Sequence, residues 1–260
     1  MSANPELLNL RSVMKPRILD IINPKICLIL PWFITLFGIA GVIVTRIVAY
    51  YVDPAEFARS LPTISKAASI DIATTLFAIV MTIVAIAMII VWYLGYLATQ
   101  YKINLVHKHT QQTNLHTLNV IGVIFGISSA IFLMGLANVS LEDDNDWHMY
   151  FSYLFFISQV FSFIFDTIVL AKLRRLANGK RNEFGLGFDA RPWVCLAVFI
   201  DALFFYFMYS FKESPLLADF EYTRQVYVGS EYLLVMIALT YAIAYFPGIR
   251  TYITTVTDKD

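Results

Sequence analysis

Six long apolar runs constrain the fold of this chain more than any other feature of its sequence. Each has about 20 residues or more, which is the length a helix needs to cross about 30 Å of hydrocarbon. The runs are continuously apolar and lack the alternation of a membrane barrel strand, so they predict helices. We expect an all-α polytopic membrane protein, a six-transmembrane-helix bundle. The predicted spans are residues 26–50, 72–96, 118–139, 150–171, 193–211 and 228–246.

The distribution of basic residues predicts the orientation of the bundle. The net charge is zero, yet fourteen of the nineteen Lys and Arg residues lie in the N-terminal segment, the second and fourth loops and the C-terminal tail. Cytoplasmic loops of membrane proteins are enriched in Lys and Arg, so both termini are predicted to be cytoplasmic. The expected organisation is a cytoplasmic segment 1–25, a transmembrane domain 26–248 and a cytoplasmic tail 249–260.

Four ionisable residues fall inside the predicted spans, namely Arg46, Asp166, Asp201 and Glu231. Each costs about 2.5 to 3.5 kcal/mol on insertion scales, so each needs a partner or a role. Arg46 and Glu231 both lie within a turn or two of the predicted lumenal boundary. A pairing of these two side chains under the lumenal loops is therefore a testable contact.

Asp166 and Asp201 lie deeper, towards the predicted cytoplasmic end, and two interpretations are open. They could share a water-filled cavity that binds a cation, a proton or a lipid headgroup. Alternatively, they are structural carboxyls that bond to nearby hydroxyl groups, an interpretation favoured because no Lys or Arg is predicted at that depth. The nearby hydroxyl groups are those of Ser158, Ser162, Thr167 and Tyr206.

The polar stretch SLPTISKAAS, residues 60–69, separates the first two spans. Pro62 fixes its own backbone and pushes Leu61 towards an extended shape. Thr63 and Ser65 can bond local backbone groups. We expect a compact cap over the lumenal end of the bundle, with a structural role and no catalytic one.

A basic run, KLRRLANGKR, follows the fourth span. Such a cluster sets topology, and it also attracts anionic lipids by about 1 kcal/mol per residue. Both interpretations stay open, and membrane lipids, with anionic lipids at this face, are the expected partners. The candidate lipid contacts are Lys172, Arg174, Arg175, Lys180 and Arg181.

Small residues recur at four-residue spacing in the third span, at Gly122, Gly126 and Ala130. This spacing lines one helical face and allows close helix packing. We expect packing within the chain in preference to dimerisation.

The sequence contains no recognisable catalytic apparatus. Phosphate-binding, dinucleotide and zinc-protease motifs are missing. The pair His107 and His109 has no nearby Cys or carboxylate to complete a tetrahedral metal site. We therefore expect a protein that is not an enzyme, with no cofactor, no metal site and no nucleic-acid partner.

Four stretches resemble the Frag/DRAM/Sfk superfamily. In YYVDPAEFARSLPTIS, Asp53-Pro54 and the later Leu61-Pro62-x-Ile64-Ser65 resemble its first lumenal loop. ATQYKINLVHKH resembles the exit of its second span, and LNVIGVIFGISSAIFLMGLANV its third span. GSEYLLVMIALTYAIAYFPGIRTY resembles its last span, in which Glu231 is followed by an aromatic residue. The lumenal residues are thus candidates for a shared cap.

The resemblance implies six spans with both ends cytoplasmic. Its best-known branch, the damage-regulated autophagy modulators, implies a non-enzymatic regulator in lysosomal or other endomembranes. Other branches imply lipid handling, either in the remodelling of GPI-anchor lipids or in organising a phosphoinositide kinase at the plasma membrane. Conductance is a third hypothesis, which the lack of an evident inverted repeat disfavours.

Overall fold

The computed structural model describes residues 21–59, 61–107, 114–177, 189–211 and 222–257. This part of the chain is helical and contains six helices long and apolar enough to cross a membrane. The protein is an integral membrane protein with a six-span bundle, as predicted. The spanning helices are α1 (Pro24–Val52), α4 (Asp71–His107), α5 (Asn114–Asn138), α6 (Asn145–Leu176), α7 (Arg191–Phe211) and α8 (Thr223–Thr257), and two short helices, α2 (Pro54–Arg59) and α3 (Ile64–Ala67), join α1 to α4.

Local sequence explains where the helices begin. The side chain of Asn23 accepts a hydrogen bond from the Lys25 amide at 2.9 Å, and Pro24 occupies the first position of α1. Asp144 caps α6 in the same way, by accepting from the Trp147 amide at 3.1 Å. Both arrangements satisfy amides that have no partner within the helix.

The helices extend beyond the predicted apolar spans. Helix α4 continues to His107, eleven residues past the predicted end of its span at residue 96. Helix α8 continues through Pro247 to Thr257, so residues 249–257 of the predicted tail are helical. The apolar runs mark the hydrocarbon-crossing part of each helix, while polar ends add further turns.

The helices pack in chain order from α1 to α6. Helix α8 closes the bundle by packing on α7, α1 and α4, whereas α6 and α7 make fewer contacts with each other. In α7 only 17% of an 18-residue apolar stretch is buried inside the bundle. The corresponding share in the other five spanning helices is 39–44%. The contact between α6 and α7 is therefore a loose seam in the bundle.

The stripe of small residues on α5 packs within the chain, as predicted. The Ser162 hydroxyl of α6 donates to the Gly122 carbonyl at 2.8 Å. A Cβ atom at Gly126 would clash with the ring of Trp92 on α4, and Ala130 is fully buried. These small residues let α5 approach both of its neighbours closely.

The two ends of the bundle carry different residues, and we name them the capped end and the basic end. The capped end carries Leu61–Ser69 and the turn from Val139 to Asp144, which joins α5 to α6. The basic end carries the last turn of α6, with Arg174 and Arg175. Because six spans cross the bundle, the first and last helices begin and end at the basic end.

Candidate functional site

The segment between α1 and α4 forms a folded cap, which we define as residues 61–69. Thr63 is the N-cap of α3, since its hydroxyl accepts from the Lys66 amide at 3.1 Å. The Ser69 hydroxyl donates to the Ser65 carbonyl at 2.8 Å, so Ser65 contributes its backbone to the fold of the cap. Pro62 and Ile64 are buried. The cap is thus a small structure in its own right.

Preceding it, Asp53 and Pro54 connect α1 to α2. The Asp53 amide donates to the Ala49 carbonyl at 2.9 Å and ends α1. The Asp53 side chain accepts from the Glu56 amide at 3.1 Å and begins α2, where Pro54 is the first residue. One aspartate therefore sets the direction of the chain as it leaves the membrane.

Arg46 and Glu231 hold the cap from below, and each contacts the cap instead of the other. Nη1 of Arg46 donates to the Pro62 carbonyl at 3.4 Å, and its guanidinium lies 4.7 Å from the centre of the Tyr232 ring. Oε2 of Glu231 accepts from the Ile64 amide at 3.3 Å. The expected link between these two residues is thus made through the backbone of the cap.

Further contacts attach the cap to neighbouring segments. Nε of Arg224 donates to the Leu61 carbonyl at 3.2 Å, and the Leu141 amide donates to the Ser69 hydroxyl at 3.1 Å. Lys66 and Glu142 form an exposed ion pair at 2.8 Å. The hydrogen bond to Glu142 raises the pKa of Lys66. Helix α8 and the α5–α6 turn therefore both hold the cap.

A cavity of about 870 Å³ lies under the cap, between α6, α7 and α8. On α8 it extends from Arg224 to Ala238, fourteen residues or about 21 Å of helix. A bilayer is about 40 to 45 Å thick with its headgroups, so one leaflet has nearly the same thickness as this length of helix. The cavity therefore spans about one leaflet.

The cavity opens sideways through the seam between α6 and α7. Tyr153 and Ile157 of α6 and Tyr206 of α7 line it and are 53%, 51% and 69% exposed. These side chains lie on the surface that lipid tails surround. Part of the opening of the cavity therefore lies on the lateral surface of the bundle.

The cavity is polar at one end and apolar at the other. At the capped end it is lined by the polar residues Thr63, Ser65, Asn145, Arg224 and Glu231. Towards the membrane centre its walls are mostly apolar, formed by residues that include Val160, Val198, Ala202, Leu234 and Ala238. Gln159 is the polar exception at this depth, and its side-chain oxygen accepts a hydrogen bond from the Ser129 hydroxyl at 2.6 Å. A second cavity of about 360 Å³ continues along the α6–α7 seam and shares Val160 and Val198 with the first. This distribution matches an amphiphile with a polar head and long tails.

At the basic end, Asp166 is bound by Arg191, which lies two residues before the predicted fifth span, 193–211. Nη1 of Arg191, the first residue of α7, lies 3.0 and 3.2 Å from the two carboxylate oxygens of Asp166. The Tyr241 hydroxyl of α8 donates to Oδ2 of Asp166 at 2.7 Å. The expectation that Asp166 has no cation at its depth was therefore wrong. Its observed partners are Arg191 and Tyr241, and the Ser162 hydroxyl bonds to Gly122 instead.

Arg191 is the centre of this polar cluster. Its side chain is only 4% exposed, and it also binds Asp189 with Nη2 at 2.6 Å and Nε at 3.0 Å. Its guanidinium lies 4.9 Å from the centre of the Tyr245 ring. Burial raises the pKa of the Asp189 carboxyl, but Arg191 outweighs this and leaves the pKa below its usual value. The cluster joins α6, α7 and α8.

Asp201 does not share a site with Asp166. Asp201 is 7% exposed, and its Oδ2 atom is buried without a hydrogen-bond partner. Neither aspartate lines the two seam cavities described above. The predicted pair of intramembrane carboxyls is thus split between two environments.

The described part of the basic run lies in the last turns of α6. Lys172 and Arg175 are exposed, while Arg174 is partly buried. Cations in this position complement the negative end of the helix dipole. Lys180 and Arg181 lie outside the described residues.

Comparison with known proteins identified one family. A family model described as the Frag1/DRAM/Sfk1/Cwh43P N-terminal domain matches residues 26–251. Searches of curated proteins and of solved structures found no match. The matched region includes the cap, the cavity, the Arg191 cluster and all six spanning helices except the first two residues of α1 and the last six of α8.

Proposed function

Because the chain belongs to the Frag1/DRAM/Sfk1/Cwh43P family, we propose that it is a non-enzymatic membrane regulator that acts by binding a lipid. The single observation that carries this proposal is the side-open cavity of about 870 Å³ between α6, α7 and α8. Ligand-binding cavities in proteins commonly measure about 300 to 1,000 Å³. Among the roles that the resemblance to the family implies, lipid handling is thus the one that the geometry supports best.

The shape of the cavity supports binding of one lipid from the leaflet at the capped end. The headgroup would lie among Asn145, Arg224 and Glu231, and a tail would lie against the apolar walls near Ala202 and Ala238. The weak packing between α6 and α7 allows entry with little loss of protein contacts. Reversible uptake needs no covalent chemistry.

The cap provides a means by which occupancy can be reported. Ser65 lines the cavity, and Glu231 both lines it and accepts a hydrogen bond from the Ile64 amide. A headgroup that contacts these residues changes the environment of the cap, which lies at the capped end of the bundle and is only partly accessible. The regulatory signal in this proposal is therefore the conformation of residues 61–69.

We place this activity in lysosomal or other endomembranes, as the resemblance to the autophagy-modulator branch implies. In this proposal the protein binds a membrane lipid in its cavity and, depending on whether the lipid is bound, regulates autophagy. Co-localisation of a tagged chain with lysosomal, Golgi and plasma-membrane markers tests the compartment.

Conductance is less well supported by the geometry. Asp166 is paired with Arg191, so the two side chains together present no net charge to an ion. Neither Asp166 nor Asp201 lines the two seam cavities. These observations favour a bound lipid over a transported ion.

Lipid retention tests the proposed function. The full chain is purified in detergent, and the lipid that remains bound is quantified per mole of protein by mass spectrometry. We expect about one tightly retained lipid, and we expect Ala202→Trp, which fills the cavity, to remove it. Leu203→Trp is the matched control, because Leu203 is 56% exposed on the same helix and does not line the cavity. Equal retention by the two variants would refute the proposal.

A further inference from the structure

We propose that the cavity selects a lipid whose headgroup carries an ammonium group. This inference rests on the proposed function, since it names the class of lipid that the cavity binds. It is carried by the arrangement of aromatic rings, one carboxylate and one guanidinium at the polar end of the cavity.

Aromatic rings from three helices meet at this end. The rings of Phe205 and Tyr227 are stacked with centroids 5.3 Å apart, and the Tyr209 ring lies 6.1 Å from that of Tyr227. Tyr153 of α6 lines the same space. Ring faces attract cations, ammonium groups included, and the attraction is stronger where the cation is shielded from water.

Glu231 places a carboxyl group beside these rings. It lies four residues after Tyr227, so both side chains are on the same face of α8, and both line the cavity. Among the described residues that line the cavity, Glu231 is the one carboxylate. A carboxylate next to ring faces stabilises an ammonium group and repels an anionic headgroup.

Arg224 lies on the same face of α8, seven residues or about 10 Å before Glu231, at the capped end of the cavity. It is exposed, and its Nε atom is held by the Leu61 carbonyl at 3.2 Å. A guanidinium at this position suits a phosphate group. A zwitterionic phospholipid can therefore use both charges, whereas a sphingoid base, which has no phosphate, uses Glu231 and the rings alone.

Photoreactive lipids distinguish these cases. Three probes with a matched diazirine-bearing chain are compared on the full-length protein in nanodiscs: phosphatidylethanolamine, phosphatidylglycerol and sphingosine. We expect the cavity residues to be labelled about tenfold more by an ammonium-bearing probe than by phosphatidylglycerol, which corresponds to about 1.4 kcal/mol. Arg224→Gln should weaken labelling by phosphatidylethanolamine and leave labelling by sphingosine unchanged if the phosphate contributes.

Glu231→Gln is the decisive variant. Its amide oxygen can still accept from the Ile64 amide, so the cap keeps its hydrogen bond while the charge is lost. The preference for an ammonium group should fall to within about twofold, and Tyr227→Leu should reduce it independently. Glu142→Gln is the control, because it removes the same charge at the capped end from a residue that does not line the cavity.

The outcomes separate this inference from the proposed function. If all three probes label the cavity equally, or if phosphatidylglycerol labels it most, the ammonium selectivity is wrong and the lipid site stands. If no probe labels the cavity residues in any variant, both are wrong. An unchanged preference in Glu231→Gln also overturns the assignment of Glu231.

Discussion

Arg191, the first residue of α7, binds both carboxylate oxygens of Asp166 on α6, at 3.0 and 3.2 Å from a single nitrogen atom. Both side chains are almost completely buried, with 4% and 6% of their surface exposed. Towards the capped end of the same seam, the side chains of Tyr153 on α6 and Tyr209 on α7 form a hydrogen bond. This ion pair therefore fixes one end of the most loosely packed spanning helix.

Removal of one member of this pair should strongly destabilise the bundle. Arg191→Gln leaves the Asp166 charge buried without its partner, and the expected loss is about 3 to 5 kcal/mol. Thermal unfolding in detergent, followed by tryptophan fluorescence, measures the change. Arg175→Gln removes an exposed Arg at the same end and should have little effect. Similar losses in the two variants would contradict this interpretation, and Asp166→Asn with Arg191→Gln should recover part of the stability.

The contribution of Asp189 to stability should depend on pH. Its pKa in the folded protein is lowered by Arg191, so its contribution is present above the usual aspartate pKa of about 3.9 and is lost as the pH falls through the lower folded value. The difference in stability between the native chain and Asp189→Asn should be constant above about pH 5 and shrink below about pH 4. Thermal unfolding across this range measures it. If the difference in stability grows as the pH falls, the pKa of Asp189 is raised on folding and not lowered.

Loss of the Glu231 carboxyl should loosen the cap. In Glu231→Ala the Ile64 amide loses its acceptor, and hydrogen exchange of residues 61–69 should become faster by about tenfold, the effect of about 1.4 kcal/mol. Glu231→Gln keeps an acceptor oxygen and should exchange at nearly the native rate. Unchanged exchange in the alanine variant would mean that Arg46 and Arg224 suffice to hold the cap.

Substitution of glycine by alanine should change the stability of the protein in opposite directions at two positions, Gly126 on α5 and Gly229 on α8. Gly126→Ala places a methyl group against the Trp92 ring, and the expected cost is about 1 to 3 kcal/mol. A Cβ atom added at Gly229 has no atom within 4 Å. Gly229→Ala should therefore stabilise α8 by about 0.5 to 1 kcal/mol, because alanine has the higher helix propensity. Thermal unfolding of the two variants in one detergent provides the comparison. Destabilisation by Gly229→Ala would indicate a contact at that position with lipid or a partner.

Anionic lipid should stabilise the basic end. Lys172 and Arg175 are exposed near the end of α6, and each is expected to contribute about 1 kcal/mol towards an anionic surface. The Tm in nanodiscs that contain phosphatidylserine should exceed that in nanodiscs of phosphatidylcholine, and Lys172→Gln with Arg175→Gln should reduce the difference. An undiminished difference would leave these residues with a role in topology alone.

The sequence was sufficient to predict the spans and the cap because both depend on local patterns. Continuous hydrophobicity locates helices that cross the membrane, and Pro62 with Thr63 specifies a short capped turn between two of them. The stripe from Gly122 to Ala130 likewise indicated close packing. Each of these features can be recognised without knowing which helices are neighbours.

The role of Arg191 could not be predicted in the same way. A basic residue next to an apolar run counts as a loop residue in any topology argument, and its pairing with Asp166 depends on α7 beginning close to that level of α6. The cavity was missed for a related reason. Tyr153, Tyr206 and Tyr209 look the same in the sequence whether they face bulk lipid or a cavity between loosely packed helices.

Helix α8 contributes to both polar clusters, with Glu231 at the cap and Tyr241 beside Asp166. These residues are ten positions apart, about 15 Å along one helix. A small axial shift of α8 would lengthen hydrogen bonds at both positions together. The position of this one helix along its own axis therefore affects the hydrogen bonds of the cap and those of the Arg191 cluster at the same time.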